Sequence, residues 1–169
     1  QEWHRIVKAE RSSTNFRSHH LTLPVGTALF DGGIIGRSII YKRACELTMF
    51  AKKVTFVSQY CPTSRLAKEL KNVPHALYFN RPEQASFLNR ILLRLSMAAT
   101  GFQTSYRKKR YIHAKFMIFT MPDGTKVALT GSHNFAYTGV LFGTREIALE
   151  TNNPAVIKQL ESFLTSHII

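Results

Sequence analysis

Cysteine and long apolar runs are scarce in this sequence. The 169 residues include two cysteines, Cys45 and Cys61, which are too few for a disulfide framework or a cysteine-based zinc site. A reduced compartment is therefore expected. No stretch approaches the roughly 20 apolar residues that a membrane-spanning helix needs. The first residues carry neither an initiator Met nor a charged-then-apolar leader, so we expect no signal peptide, in a chain that is mature, trimmed or a fragment.

Acidic residues are also few. There are ten in all, and Asp31 and Asp123 are the only aspartates. Divalent cations need several oxygen ligands, so metal-dependent phosphoryl chemistry is disfavoured and neither a metal nor a cofactor is expected. The 23 lysines and arginines leave a net charge of +13. A field of that sign favours polyanions, either nucleic acid or the face of an anionic membrane.

The length and the hydrophobic content of 44% suit one ordinary domain with its own core. Residues 1–23 are polar and are interpreted as a lead-in or inter-lobe linker, and 24–169 as the folded lobe. Hydrophobic periodicity predicts the order β-α-β-α-β-α-β-β-β-α. Strands are expected at 27–30, 53–60, 75–79, 111–120, 126–131 and 145–151, and helices at 39–51, 62–70, 82–99 and 154–165. This order predicts an α/β fold, a mixed β-sheet flanked by helices.

The predicted strand 111–120 contains His113 and Lys115. Side chains two residues apart lie on the same face of a strand. An imidazole beside an ammonium suits phosphate chemistry, because Lys115 can neutralise a non-bridging oxygen while His113 attacks phosphorus or moves a proton.

The end of the next predicted strand supplies further polar groups. Gly131 would allow close approach of the backbone to a ligand, and Ser132 and Asn134 offer a hydroxyl and an amide. Glu146 is expected on the following strand, where a carboxylate could hold one imidazole nitrogen and free the other.

The run His-Ala-Lys, then Gly-Ser-His-Asn, then a Glu-bearing strand resembles the phospholipase D superfamily. The resemblance covers one lobe, roughly residues 24–167. This lobe is most similar to the C-terminal half of bacterial cardiolipin synthase-like proteins. The resemblance implies a metal-free, two-step displacement through a phosphohistidine. His113 would be the nucleophile or general acid–base, Lys115 and Asn134 phosphate ligands, Ser132 a supporting hydrogen-bonding group, and Glu146 the residue that orients a histidine.

Two departures from the family pattern bear on function. Thr120 stands where the family signature has an Asp, so we expect an altered network with retained chemistry. The family works with two His-x-Lys motifs, whereas this sequence holds one. Half an active site is therefore predicted, and a monomer of this chain is expected to be inactive until its own longer chain or a homodimer supplies a second motif.

Three other features receive structural or binding interpretations. His133 is expected to be a variable residue at the rim of the site. The apolar residues of the predicted helix 82–99 are expected to face the core, with arginines reaching solvent. The basic loop is a candidate phosphate or headgroup funnel, and its members are Arg107, Lys108, Lys109 and Arg110.

Three functions remain open on the sequence. The first is a phospholipase D-type phosphodiesterase or phosphatidyltransferase acting on anionic phospholipid, cytoplasmic and peripheral at the inner membrane. The second is a homodimeric endonuclease of the same superfamily acting on DNA. The third is a non-catalytic phosphate-binding lobe, which the intact set of candidate residues disfavours because a binder needs no nucleophilic histidine.

Overall fold

A computed structural model describes residues 17–169, so most of the predicted lead-in, residues 1–16, lies outside the described part. Seven strands pair in one sheet in the order β1-β2-β7-β6-β5-β3-β4. The strands are β1 (His19–Leu23), β2 (Gly26–Phe30), β3 (Lys53–Val57), β4 (His75–Tyr78), β5 (Phe116–Thr120), β6 (Lys126–Gly131) and β7 (Ile147–Thr151). The β3–β4 pair is parallel and the other five pairs are antiparallel. The predicted α/β class with a mixed sheet is confirmed.

Within residues 17–169, five α-helices flank the sheet, and side-chain caps fix the start of two of them. The helices are α1 (Ile39–Phe50), α2 (Ser64–Lys71), α3 (Phe87–Thr100), α4 (Tyr137–Phe142) and α5 (Pro154–Phe163). Ser38 Oγ accepts from the backbone N–H of Tyr41 at 2.9 Å at the start of α1. Asn153 Oδ1 accepts from Ala155 N at 2.9 Å at the start of α5. Each cap satisfies a backbone donor that has no partner within its helix.

The sheet is covered on both faces, and alternate side chains of β5 belong to different hydrophobic clusters. Met117 and Phe119 belong to the larger core with α1, α2 and α3. Phe116 and Ile118 belong to a second cluster with Ile157 of α5. A strand buried on both faces reads as a continuous apolar run, as β5 does.

Several boundaries differ from the sequence prediction. Residues 19–23, expected in the lead-in, form β1 and pair antiparallel with β2. The short helix α4 was not predicted, and the helix expected over 82–99 is divided into a 3₁₀ turn, Pro82–Gln84, and α3. Pairing at the sheet edge and packing against the core override the weak local pattern in these segments.

The expected orientation of α3 is wrong. Leu93 is the buried residue of this helix, at 1% exposure. Leu88, Ile91, Leu92 and Leu95, which were expected to face the core, are all exposed. The helix is apolar on both its faces, so periodicity alone does not say which face packs.

Candidate active site

The predicted site residues converge because their strands run antiparallel. Phe116 at the start of β5 pairs with Thr130 near the end of β6, and Gly131 pairs with Ala148 of β7. The segment before β5, the segment after β6 and the segment before β7 therefore meet at one end of the sheet. These three segments carry, in turn, His113 with Lys115, Ser132 with Asn134, and Glu146.

Residues 111–115, predicted as strand, are irregular instead. The cause is Asn80, a fully buried side chain just after β4. Its Oδ1 accepts from Ile112 N at 2.7 Å, and its Nδ2 donates to Ile112 O at 2.9 Å and to Gln59 O at 3.0 Å. The amide thus takes both backbone groups that a strand would have used, and fixes the chain next to His113. No local sequence pattern points to Asn80.

Lys115 is held against His113. Lys115 Nζ donates to the His113 carbonyl O at 2.7 Å and lies 3.3 Å from His113 Nδ1. The lysine is 8% exposed, whereas the histidine is exposed. Burial lowers the pKa of Lys115 from its ordinary value, and the nearby Glu146 carboxylate opposes that shift. The juxtaposition expected from the His-x-Lys spacing is present without strand geometry.

Glu146 lies immediately before β7 and does not contact a histidine. Its Oε2 accepts a short hydrogen bond from Ser132 Oγ. Ser132 Oγ in turn accepts from Ile147 N at 3.0 Å. Within residues 17–169, the geometry therefore places Glu146 against the Gly-Ser-x-Asn segment. Its role in orienting a histidine stays a prediction. A carboxylate beside Ser132 fixes the hydroxyl and adds negative charge near Lys115.

Asn134 is hydrogen-bonded through its backbone carbonyl but not through its side-chain oxygen. Its carbonyl O accepts from Ser58 Oγ at 2.7 Å, a contact that the sequence analysis did not anticipate. Its side-chain oxygen is buried and has no hydrogen-bond partner in the described part of the chain. Asn134 lines the cleft, and its Nδ2 is the group that could donate to a phosphoryl oxygen, because Oδ1 only accepts.

His133, expected at the rim, is buried at 2% exposure. Its Nδ1 accepts from Phe135 N at 2.8 Å, so Nε2 carries the proton and faces Ser38 Oγ at 3.4 Å. Burial lowers the pKa of His133 to about 4. Asp31 Oδ2 lies 3.9 Å from Nε2, which is too far for a hydrogen bond, and the neutral imidazole makes no ion pair with it.

The role of this histidine is to shape the loop. Phe135 has a φ of +54°, a left-handed conformation that strains a bulky residue. The hydrogen bond from its N–H to His133 holds that conformation. The buried His133 side chain thereby fixes the conformation of the loop that contains Ser132 and Asn134.

Gly131 is required by the neighbouring strand. A Cβ at this position would lie 2.1 Å from Ile147 O and 2.6 Å from Ala148 Cα. The close approach that the sequence analysis assigned to a ligand is therefore an approach to the β7 backbone.

An open cleft of about 770 Å³ lies over these residues. Its lining combines the candidate polar groups with apolar side chains, and comprises Gln59, His113, Ala114, Lys115, Phe116, Thr130, Gly131, Ser132, Asn134, Leu160 and Phe163. A phosphate bound here would meet an imidazole, an ammonium, a hydroxyl and an amide together. This set can bind phosphoryl oxygens and attack phosphorus.

Two predicted features lie away from the cleft. The basic loop, residues 107–110, does not line it, and Gln84 Nε2 instead holds the loop by the carbonyl oxygens of residues 108, 109 and 110 at 3.0–3.1 Å. Thr120 is at the far end of β5, opposite Lys53 and Lys126. It makes no contact with the site that would alter the site's network.

Neither a metal-ligand cluster nor a membrane-crossing helix is found in residues 17–169. No three His, Cys, Asp or Glu side chains gather there in a way that could hold an ion. No helix of that part is both long enough and apolar enough to span a bilayer.

Solved structures with the same fold were found, although no family model and no curated protein matches this sequence. Phosphatidylserine synthase from Haemophilus influenzae has a TM-score of 0.55 at 11% identity over 98% of this chain and 41% of its own. Polyphosphate kinase from Porphyromonas gingivalis has a TM-score of 0.54 at 15% identity over 81% of this chain and 25% of its own. Nuc from Salmonella typhimurium, a phospholipase D family member, has a TM-score of 0.49 at 14% identity over 73% of this chain and 83% of its own.

The chain therefore spans less than half the length of the first two of these proteins. At such identities the likeness concerns the fold alone. The fold is shared with this phosphatidylserine synthase and this polyphosphate kinase.

Proposed function

We propose, from the phospholipase D-type fold and the site at the end of its sheet, that this chain is half of a metal-independent phosphodiesterase or phosphatidyltransferase. One observation carries the proposal. The Lys115 ammonium lies 3.3 Å from His113 Nδ1 beside a cleft that also contains Ser132 and Asn134. A cation fixed beside a histidine, with an amide close by, can position a phosphoryl group and stabilise the negative charge on its oxygens.

The reaction follows from these groups. The unprotonated ring nitrogen of His113 attacks phosphorus, a P–N bond forms, and the P–O bond to the leaving alcohol breaks. The leaving oxygen takes a proton from a second histidine, which a second His-x-Lys set provides. Water or an acceptor alcohol then attacks phosphorus, gives its proton to that second histidine, and expels His113. Lys115 and Asn134 hold the non-bridging oxygens throughout.

An anionic phospholipid is the proposed substrate. Ala114, Phe116, Leu160 and Phe163 give one side of the cleft an apolar lining, which suits a glycerol and acyl region better than a polar nucleotide. Phosphatidylserine synthase, a lipid enzyme by name, shares the fold over 98% of this chain. The protein would work as a peripheral protein on the cytoplasmic face of the inner membrane.

A homodimeric DNA endonuclease is the alternative, and the charge of +13 favours it. Non-specific affinity for DNA is dominated by neutralised phosphates and falls steeply with salt. Two copies would have to face each other so that two His113 side chains share one phosphodiester.

Parallel assays of the full-length protein separate these functions. Turnover is measured on phosphatidylglycerol vesicles and on supercoiled plasmid, each in excess EDTA, with His113→Asn as the control. The proposal expects lipid turnover that persists in EDTA and is lost in the variant. Plasmid nicking without lipid turnover would favour the nuclease, and activity restored only by added Mg²⁺ would contradict the metal-independent mechanism.

A further inference from the structure

The outward face of α3 is mostly apolar. Phe87 and Leu88 are 73% and 72% exposed, and Leu95 is 62% exposed. The helix contains no acidic residue between 87 and 100. Its opposite side holds Leu93 in the core. A continuous apolar surface of this kind marks an interaction site.

Basic residues adjoin the start of this face. The carbonyl oxygens of residues 108–110 converge on Gln84 Nε2 at 3.0–3.1 Å, and Gln84 stands three residues before α3. Lys109 and Arg110 of this loop are exposed. Arg94 is exposed on α3 itself. The surface therefore combines apolar side chains with several positive charges.

A groove joins this face to the candidate active site. It has a volume of about 360 Å³, and Leu92 of α3 and Phe142 of α4 line it together with Asn134 and Glu146. Phe142 is 77% exposed and extends the apolar surface across the groove. A molecule held on the outer face of α3 would thus lie next to the phosphate-binding loop.

We propose that the outer face of α3, with the basic loop beside it, docks the protein on an anionic lipid surface. Apolar side chains enter the boundary between headgroups and acyl chains, while adjoining lysines and arginines meet the lipid phosphates. The same chemistry disfavours a second copy as the occupant. A second copy would present the same face, which has an exposed Arg94 and no acidic residue between 87 and 100, and so would offer no negative charge to pair with these cations.

This inference deepens the proposed function and rests on it only in taking the lipid as substrate. Docking on α3 brings the groove and Asn134 to the lipid surface. Since binding and turnover are measured separately, either can fail without the other.

The test is vesicle co-sedimentation of the full-length protein. The double variant Leu88→Glu/Leu95→Glu is compared with Phe50→Glu, whose side chain is also 62% exposed but lies at the end of α1, by the opposite end of the sheet. Both are made with and without His113→Asn, so that binding is read without turnover. We expect at least tenfold weaker binding to phosphatidylglycerol vesicles for the double variant and little change for Phe50→Glu. Binding should also weaken with salt and on phosphatidylcholine.

A second measurement keeps the test valid if the charged variants fold poorly. In a Trp3→Phe background, Leu95→Trp should shift its emission to the blue on anionic vesicles and be quenched by brominated lipid, and Phe50→Trp should not. Equal binding by all variants, or no spectral change at Leu95→Trp, would overturn the proposal. A change of oligomeric state in the double variant would also overturn the proposal. So would the finding that another part of the full chain covers α3, because the occupant would then be protein.

Discussion

Lys115 Nζ faces Nδ1 of His113 at 3.3 Å while donating to the carbonyl oxygen of the same residue at 2.7 Å. In this arrangement Nδ1 is the acceptor, so the neutral ring carries its proton on Nε2. A phosphoryl oxygen in the cleft would compete for the same ammonium. Once Lys115 turns to that oxygen, Nδ1 is released and either ring nitrogen can carry the proton. The lysine therefore links substrate binding to the state of the histidine.

Replacing Lys115 by Met should reduce kcat/KM about 10- to 150-fold, since a charge-assisted hydrogen bond contributes roughly 1.5–3 kcal/mol. Met has a similar length and suits the buried environment, so the Tm should change little. Steady-state kinetics and thermal unfolding of the full-length protein give both quantities, with the exposed Lys53→Met as control. Loss of folding with unchanged activity per folded molecule would show that Lys115 is structural.

Replacing Asn80 by Asp should impair both stability and catalysis. The carboxylate keeps the acceptor for Ile112 N but loses the donor to the carbonyl oxygens of Ile112 and Gln59. Leaving two buried carbonyls unpaired costs about 2–5 kcal/mol, which urea unfolding measures.

The positioning role of Asn80 has its own readout. Because Ile112 adjoins His113, activity per folded molecule should fall as well. Asn72→Asp is the matched control, since its Nδ2 donates to Lys68 O on the exposed end of α2. Unchanged activity per folded molecule in Asn80→Asp would leave Asn80 a purely structural residue.

His133 should make the protein less stable in acid. Its pKa is lowered to about 4 in the folded state against about 6.5 when unfolded, so the unfolded chain binds the additional proton between these values. Stability is therefore fully present above pH 6.5 and falls by about 3 kcal/mol as pH drops towards 4. His133→Gln, which keeps an acceptor for Phe135 N, should lose this dependence.

Neighbouring groups require that the pH dependence be read as a difference between wild type and variant. Burial raises the pKa of Asp31, which acts in the opposite direction, and its titration is common to both proteins. Burial raises the pKa of Tyr41 to about 12, so this group does not titrate between pH 4 and pH 7. Urea unfolding at pH 7 and pH 4, with the exposed His20→Gln as control, measures the effect. Parallel pH profiles of wild type and His133→Gln would contradict the assignment.

The candidate site could be predicted from the sequence where its parts are local. His113 with Lys115, and Ser132 with Asn134, are each two residues apart, and antiparallel strand order alone brings the two pairs together. Asn80 and Ser58 could not be found in this way, because their hydrogen bonds join residues 32 and 76 positions apart. Such partners are visible only once the sheet is assembled.

The orientation of α3 and the position of Glu146 show a second limit. An apolar pattern identifies the residues that avoid water but does not say whether the protein covers them, and Leu88 remains exposed. Glu146 is hydrogen-bonded to Ser132 just after β6, a partner that sequence spacing does not predict. Both outcomes depend on packing rather than on spacing.

The most direct measurement of the central claim is the capture of a covalent intermediate on His113. The full-length protein is mixed with phosphatidylglycerol, quenched in alkaline denaturant within the first turnover, digested, and analysed by mass spectrometry. The account predicts a phosphoramidate adduct on the peptide containing His113, absent from His113→Asn, whose turnover should fall by several orders of magnitude. Turnover close to wild type in His113→Asn, or an adduct on any other residue of this chain, would contradict it.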